Sequence, residues 1–225
     1  MIEPLVVIVP AYNAEPTLAA VVKGVRRNLP AAWVLGIDDG STDGTRQLLR
    51  SVSDDTIEFD TNRGKGAALR AAFEAALQKG ASAVLTIDSD GQHDPAFAPA
   101  IVAALDRADI VIGTRDLSGK AVPRHRRIAN MISSAATRAV SGGKVRDSQS
   151  GYRAIKAEVL RKVHAVGDRY EFETDFIIRA ARAGFSTLNV PISTIYGSPS
   201  YFREFRDAWL VIKVLWRHRA GIFKR

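Results

Sequence analysis

The chain has 225 residues, of which 46% are hydrophobic and 25% are charged, a composition typical of one globular domain with a substantial core. It has no cysteine, which excludes disulfides and thiolate metal sites, so any metal would be held by oxygen or histidine. The formal net charge of +8 and the pI near 10.0 favour phosphate-rich partners, such as nucleic acid, a nucleotide or an anionic membrane face.

Along the first half of the chain, short apolar runs alternate with segments of helical periodicity. The predicted strands are residues 5–9, 33–37, 83–87 and 110–112. The predicted helices are residues 16–29, 42–52, 64–79 and 94–105, with Ser41 and Thr42 capping the second and Asp94-Pro95 beginning the fourth. This alternation predicts an α/β fold with a mainly parallel sheet covered by helices on both faces.

The alternation is lost after residue 115. Helical patterns over residues 120–143 and 172–183 are expected to supply the second wall of the site. The first apolar run is too short and lacks the flanks of a signal peptide. No stretch reaches the roughly 18 apolar residues that would cross a bilayer. We therefore expect a soluble or peripheral protein.

Two acidic pairs follow predicted strands. Asp88 and Asp90 come after one strand, and Asp38 and Asp39 after another. Either pair alone is equally typical of a turn. Because ligands bind at the carboxyl ends of strands in an open parallel sheet, the two acidic ends together indicate one site. Carboxylates held there suit Mg²⁺ or Mn²⁺ bound against a substrate phosphate.

The loop after the first predicted strand and the start of the third predicted helix have different features. No G-x-G-x-x-G or Walker motif is present, which disfavours hydride transfer and P-loop hydrolysis. Pro10, Tyr12 and Glu15 suit a base and a ribose hydroxyl, although Glu15 could instead cap the helix that follows this loop. In the segment NRGKGAAL, Lys65 lies between two glycines at a helix start, where backbone N–H groups favour a diphosphate.

Eight segments in order resemble glycosyltransferase family 2, which has the GT-A fold, and within it the branch of dolichyl-phosphate mannose synthase and bacterial polyprenyl-phosphate glycosyltransferases. These segments span residues 5–197 and are IVPAYNAEPTL, DDGSTDGT, NRGKGAALRAAF, TIDSDGQHDP, IVIGTRDL, RDSQSGYRAI, YEFETDFIIRAARAGF and VPISTIYG. The resemblance implies a nucleotide-sugar donor and an inverting transfer in which a divalent cation bridges the donor diphosphate.

The resemblance, together with the loop features above, assigns roles to individual residues. Nucleotide-sugar binding falls to Pro10, Tyr12, Glu15, Asp39, Lys65 and Asp88. The metal ligands are Asp88, Asp90 and Gln92, with Mg²⁺ or Mn²⁺ as the cofactor. The acceptor site comprises Arg115, Arg126, Asn130, Ser150 and Glu173, and the catalytic residues are Asp90, Arg115 and Arg126. The basic residues near Arg126 could equally form a solvated surface.

The last segment, residues 198–225, is predicted to be a basic amphipathic helix outside the catalytic domain of residues 1–197. It carries one apolar stripe, formed by Phe202, Phe205, Trp209, Ile212 and Trp216. Residues 201–225 hold seven basic and two acidic side chains, a net charge of +5. Aromatic rings beside cations suit a membrane interface, but such a stripe could also dock on the enzyme's own core or on a dimer partner.

Together with these features, the resemblance implies a metal-dependent, inverting enzyme that moves mannose or glucose from a GDP- or UDP-sugar to a polyprenyl (dolichyl or undecaprenyl) phosphate. We expect it in the cytoplasm, peripheral at the inner membrane face, with a membrane-anchored protein partner or a second copy of itself. One alternative acceptor is a saccharide or protein hydroxyl, with Glu173 or Asp175 as general base. Another alternative is a non-catalytic nucleotide-sugar binding module. Nucleic acid is disfavoured, because acidic strand ends repel its phosphates.

Overall fold

The computed structural model describes residues 3–115, 134, 135, 137, 138, 145–193, 212–214 and 216–218. Within this part of the chain, seven strands form one sheet in the order β3-β2-β1-β4-β6-β5-β7. The strands are β1 (Leu5–Ala11), β2 (Trp33–Asp38), β3 (Asp55–Glu58), β4 (Ala83–Thr86), β5 (Ile110–Arg115), β6 (Arg153–Lys156) and β7 (Thr187–Ile192).

The sheet is mainly parallel and contains one reversed strand. β1 pairs in parallel with β2 and β4, β2 with β3, and β5 with β7. β6 runs antiparallel to both of its neighbours, β4 and β5. The carboxyl ends of β1, β2, β4 and β5 therefore lie along one edge of the sheet, and the loop that enters β6 reaches the same edge.

Helices cover both faces of the sheet. They are α1 (Glu15–Asn28), α2 (Thr45–Val52), α3 (Lys65–Gln78), α4 (Ala98–Ala103), α5 (Ala157–Lys162) and α6 (Glu171–Arg182). One buried apolar cluster includes Leu18 of α1 and Ile101 of α4, and a second includes Phe73 of α3 and Phe176 of α6. Alternate residues of β1 enter the two clusters, as a strand buried on both faces requires. The predicted α/β fold is confirmed.

The four strands predicted from the sequence are all present, but β3, β6 and β7 were missed because each is short or mixed in polarity. The predicted cap of α2 is wrong, since the helix begins at Thr45 after Gly44. Ser41 Oγ instead accepts from the Asn13 amide at 3.0 Å, and the Thr42 amide donates to Asn13 Oδ1 at 2.9 Å. These bonds tie the β2–α2 loop to the β1–α1 loop at the site edge.

Asp94 does cap the next helical segment, because its Oδ1 accepts from the Ala96 amide at 2.9 Å. The predicted helix over residues 94–105 is divided into a 3₁₀ turn (Pro95–Phe97), α4 and a second 3₁₀ turn (Ala104–Asp106). Of the predicted helix over residues 120–143, residues 134, 135, 137 and 138 are described and are helical. No helix in the described part of the chain is long and apolar enough to cross a bilayer.

Candidate active site

The two acidic pairs predicted from the sequence lie on the same edge of the sheet, on either side of β1. Asp38 is the last residue of β2, and Asp88 comes two residues after β4. Asp38 and Asp39 both accept hydrogen bonds from other parts of the protein. Asp38 is fully buried and accepts from Arg46 Nε at 2.8 Å.

Asp39 holds the loop that leads to α3. Its carboxylate accepts from the backbone amides of Arg63, at 2.7 Å, and Gly64, at 2.9 Å, and from Asn62 Nδ2 at 3.0 Å. Burial raises the pKa of Asp39, although the two backbone amides act in the opposite direction. Asp39 thus positions the residues immediately before Lys65, while its contact with a base stays a prediction.

Asp88 and Asp90 differ in their electrostatic surroundings. Lys65 Nζ lies 2.7 Å from Asp88 Oδ1, and His93 Nε2 lies 3.7 Å from Asp88 Oδ2. Burial opposes the charge on Asp88, but Lys65 and His93 outweigh it and hold the pKa of Asp88 well below its ordinary value. The pKa of Asp90 is raised, first by burial and then by the negative charge of Asp88. The surroundings therefore favour the charged form of Asp88 and disfavour that of Asp90.

The segment after β4 is a turn, as one of the two interpretations of this acidic pair predicted, and the metal-site interpretation stays a prediction. Gly91 has a φ of +74°, and the Gln92 amide donates to Asp90 Oδ1 at 2.9 Å. Gly151 from the β6 loop packs so closely that a Cβ there would lie 2.3 Å from Asp88 Oδ2. The turn and the glycine together fix where the two carboxylates lie.

The residues fit a divalent cation that is completed by its substrate. Among the described residues, no group of three or more His, Cys, Asp or Glu side chains is arranged to hold a metal ion. Mg²⁺ is typically bound through one or two carboxylates, with waters and substrate phosphates in the other positions. The carboxylates of Asp88 and Asp90 are hard oxygen donors of that kind, and Gln92 as a third ligand stays a prediction.

Lys65, the first residue of α3, joins two parts of this edge. Its ammonium contacts Asp88 and also Glu173 Oε2, at 3.2 Å. The prediction that the amides at this helix start are available to an anion is wrong for Gly66 and Ala67. Both donate to the Asp168 carbonyl, at 2.8 Å and 3.2 Å. The loop before α6 therefore folds over this helix start, and contact of Lys65 with a diphosphate stays a prediction.

The predicted nucleoside contacts lie at the end of β1. Pro10 is in the strand, and Tyr12 follows it. Glu15 is the first residue of α1, and its Oε2 accepts from the Gly44 amide at 2.9 Å, at the start of α2. No side chain caps α1, the helix that Glu15 begins, and Glu15 instead binds the start of α2. Contact of these residues with a nucleoside remains a prediction.

The opposite side of the site is built around a buried ion pair. Arg115, at the end of β5, donates from Nε to Asp147 Oδ2 at 2.7 Å and from NH2 to Oδ1 at 3.0 Å. Burial opposes the charge on Asp147, but Arg115 holds the pKa of Asp147 below its ordinary value. Of the other predicted acceptor residues, Arg126 and Asn130 lie outside the described residues.

The sequence analysis missed Arg153, which organises the loop before β6. Arg153 is only 3% exposed and donates from Nε to the Ser150 carbonyl at 2.7 Å and from NH1 to the Glu173 carbonyl at 3.2 Å. Ser150 itself is fully buried, and its Oγ accepts from the Tyr152 amide at 3.4 Å. The segment RAIK could have indicated this role, because an arginine in a strand covered on both faces requires buried hydrogen-bond acceptors.

Asp175 is tied to the C-terminal segment. Its Oδ1 lies 2.7 Å from His218 Nε2, and its Oδ2 accepts from Arg179 Nε at 2.6 Å and from the Val166 amide at 2.8 Å. In the described C-terminal residues, Val214 and His218 are buried, whereas Ile212 and Trp216 are 53% and 62% exposed. The predicted apolar stripe is thus not the face that packs here. The division of the chain at residue 197 stays a prediction.

Comparison with known proteins decides the family. A profile of "Glycosyl transferase family 2" matches residues 6–164. The chain belongs to glycosyltransferase family 2. The polyprenol monophosphomannose synthase of Mycolicibacterium smegmatis is 34% identical over 200 residues, covering 83% of this chain and 76% of the relative. The undecaprenyl-phosphate mannosyltransferase of Micrococcus luteus is 33% identical over 199 residues, covering 84% and 82%.

A solved structure shows the same fold. Glucosyl-3-phosphoglycerate synthase from Mycobacterium tuberculosis, in complex with Mn²⁺, UDP and phosphoglyceric acid, superposes with a TM-score of 0.78 at 21% identity, covering 95% of this chain and 78% of that one. This family 2 chain therefore has the GT-A fold and is a glycosyltransferase. The family and fold expected from the eight segments are confirmed.

Proposed function

We propose that this family 2 glycosyltransferase transfers a hexose, mannose or glucose, from a GDP- or UDP-sugar to a polyprenyl phosphate, with inversion and with a divalent cation. The observation that carries the proposal is the pair Asp88 and Asp90 at the strand edge, with Lys65 beside it. The relatives whose names include polyprenol and undecaprenyl phosphate support the acceptor. The structure in complex with Mn²⁺ and UDP supports a metal and a nucleotide donor.

The donor would be held by groups on three loops of the strand edge. Asp88, Asp90 and Gln92 would hold the cation, which when bound neutralises charge on the departing nucleoside diphosphate. Lys65 would contact the same diphosphate. The nucleoside pocket would be lined by Pro10, Tyr12, Glu15 and Asp39. An acceptor phosphate oxygen attacks the anomeric carbon, the bond from that carbon to the diphosphate oxygen breaks, and the nucleoside diphosphate leaves with the electron pair.

The state of the carboxylates favours a phosphate acceptor over a hydroxyl. A hydroxyl acceptor needs a general base, whereas a phosphate monoester is already ionised at neutral pH. Glu173 is 4% exposed and lies 3.2 Å from Lys65 Nζ. Asp175 is fully buried between His218 and Arg179. Neither carboxylate is placed as a base for an incoming hydroxyl. Arg115 and Arg126 would position the acceptor phosphate.

The membrane contact is proposed from the chemistry of the acceptor. A polyprenyl chain keeps its phosphate at a membrane surface, and a basic segment is drawn to anionic lipid there. Residues 198–225 supply this charge, and the exposed Ile212 and Trp216 offer apolar contact. A cytoplasmic location at the inner face, and a membrane-anchored partner or a homodimer, belong to the same proposal.

The test is transfer of labelled sugar from a panel of UDP- and GDP-hexoses to a short polyprenyl phosphate in detergent, with Mn²⁺ or Mg²⁺. Asp90→Ala is compared with Asp55→Ala, which removes an exposed carboxylate at the opposite end of the strands. We expect lipid-linked product that is lost with chelator and with Asp90→Ala but kept with Asp55→Ala. Turnover of the donor without lipid product would replace the acceptor by a hydroxyl compound. Chelator-resistant transfer would refute metal dependence.

A further inference from the structure

The ammonium group of Lys65 is the cation that contacts Asp88 in this structure. Its ammonium lies between Asp88 Oδ1, at 2.7 Å, and Glu173 Oε2, at 3.2 Å, and its side chain is only 15% exposed. The Tyr170 ring centroid is 5.8 Å from Nζ. The lysine therefore neutralises a carboxylate that a divalent cation would also use.

Asp88 cannot serve both cations equally well. An ammonium at hydrogen-bond distance from Oδ1 repels a second positive charge at the same carboxylate, and the repulsion is strong where water is excluded. Asp90 differs, because its Oδ1 accepts from the backbone amide of Gln92, a neutral donor, rather than from a charged side chain. Lys65 therefore competes with a divalent cation mainly at Asp88.

Glu173 gives Lys65 a second anchor. An ammonium that leaves Asp88 still has the Glu173 carboxylate, which Arg153 also approaches, with NH2 at 3.9 Å from Oε1. Glu173 is held by the first turn of α6, and Lys65 by the first residue of α3. A change of rotamer would therefore move the ammonium from Asp88 without leaving it uncompensated in a buried place.

We propose that Lys65 is an exchangeable internal cation. It neutralises Asp88 in the metal-free enzyme, and when a divalent cation binds it gives up Asp88 and turns, from its anchor on Glu173, to the diphosphate of the donor. This inference rests on the proposed function for the presence of a donor diphosphate. Its consequence is that Lys65 couples the two ligands. It weakens metal binding in the absence of nucleotide, and it strengthens metal binding in the presence of nucleotide.

The experiment measures Mn²⁺ affinity by titration calorimetry or by the electron paramagnetic resonance signal of free Mn²⁺, with and without UDP or GDP. The variant is Lys65→Met. The matched control is Lys156→Met, which removes a lysine paired with Asp109, 3.1 Å away, at the opposite end of the strands. For the wild type we expect nucleotide to tighten Mn²⁺ binding by about 5- to 150-fold, the usual range for coupled sites.

In Lys65→Met we expect tighter Mn²⁺ binding without nucleotide and a smaller gain when nucleotide is added. The metal-free variant should also have a lower Tm than the wild type, and Mn²⁺ should recover more of that loss than it adds to the wild type. Lys156→Met should leave the coupling unchanged. If Lys65 only repels the metal, Lys65→Met would bind Mn²⁺ more tightly, but nucleotide would still tighten Mn²⁺ binding as much as in the wild type. That result, or unchanged or weaker Mn²⁺ binding without nucleotide, would overturn the inference.

Asp90→Asn separates the role of Lys65 from the existence of the metal site. If the wild type binds no Mn²⁺, or if Asp90→Asn binds it equally well, the proposed metal site is refuted. If Asp90→Asn abolishes binding while Lys65→Met keeps wild-type coupling, only the role of Lys65 fails. Should Lys65→Met not fold, Lys65→Gln carries the same test, because its amide can still donate to Asp88 without a charge.

Discussion

We predict that Arg115 stabilises the fold, in addition to any role in binding the acceptor. Its guanidinium neutralises Asp147, which is 1% exposed and accepts from Arg115 Nε and NH2 through its two carboxylate oxygens. Arg115→Ala leaves that carboxylate buried and without its counter-charge. Removing one partner of a buried pair typically costs about 3–5 kcal/mol. For a chain of this size, that corresponds to a fall of about 6–20 °C in Tm.

The stability lost in Arg115→Ala should depend on pH, and the direction of this dependence follows from the pKa of Asp147. In the wild type this pKa is lowered, so the pair stabilises the fold above the ordinary carboxyl pKa, and its contribution is lost as the pH falls through the lowered value. In Arg115→Ala, burial is no longer outweighed by the guanidinium and raises the pKa of Asp147. The penalty is then present at pH 7 and is relieved as the carboxyl becomes protonated at lower pH. The difference between the two proteins should shrink from about pH 7 towards about pH 4.5.

Chemical denaturation at several pH values measures this difference. The double variant Arg115→Ala/Asp147→Asn removes the buried charge and should recover much of the lost stability at neutral pH. A stable double variant that still transfers no sugar would support a role of Arg115 in acceptor binding. A loss in Arg115→Ala that is independent of pH, or no recovery in the double variant, would refute the reasoning from a buried unpaired carboxylate.

Two further predictions concern other close contacts. In Gly151→Ala the new Cβ would meet Asp88 Oδ2 at 2.3 Å, so the carboxylate must move, and a displacement of about 1 Å typically costs about 10²-fold in rate. Sugar-transfer assays and Mn²⁺ titration should both show the loss, and wild-type activity would contradict the packing described. His218→Ala removes the 2.7 Å contact with buried Asp175 and should lower the free energy of unfolding by about 1–3 kcal/mol, measured by urea titration. Unchanged stability would mean that the C-terminal segment contributes nothing through this contact.

The fold could be predicted from the sequence where apolar runs are long and β-branched. β1, β2, β4 and β5 are of this kind, and their order with the intervening helices gives the parallel sheet. β3 is a four-residue strand of mixed polarity at the sheet margin, and β6 consists of RAIK. Neither shows the period of a buried strand. Because β6 is reversed, its entering loop reaches the active edge, and no local pattern signals that reversal.

The site could be predicted as a set of residue types but not as a set of pairings. The strand-end rule placed Asp88 and Asp90 at the right edge, and the helix start placed Lys65 near them. Which cation faces which carboxylate depends on contacts across the fold. The pairing of Lys65 with Glu173 joins residues 108 positions apart in the sequence, as 173 minus 65. The ion pair of Arg115 with Asp147 and the buried Arg153 depend on tertiary packing in the same way.

These pairings bear on how the two cations proposed to bind phosphate are held when no ligand is bound. A buried cation without a partner is costly, so Lys65 and Arg115 are each held by a carboxylate in the described structure. If Lys65 and Arg115 bind phosphate as proposed, an arriving phosphate must compete with Asp88 or Asp147 for its cation. At Asp88 a divalent cation can take over the carboxylate and release Lys65, whereas Asp147 is buried and engages Arg115 through both of its oxygens. We therefore expect Lys65 to change partner during the reaction cycle and Arg115 to keep Asp147, meeting an acceptor phosphate only from its outer face.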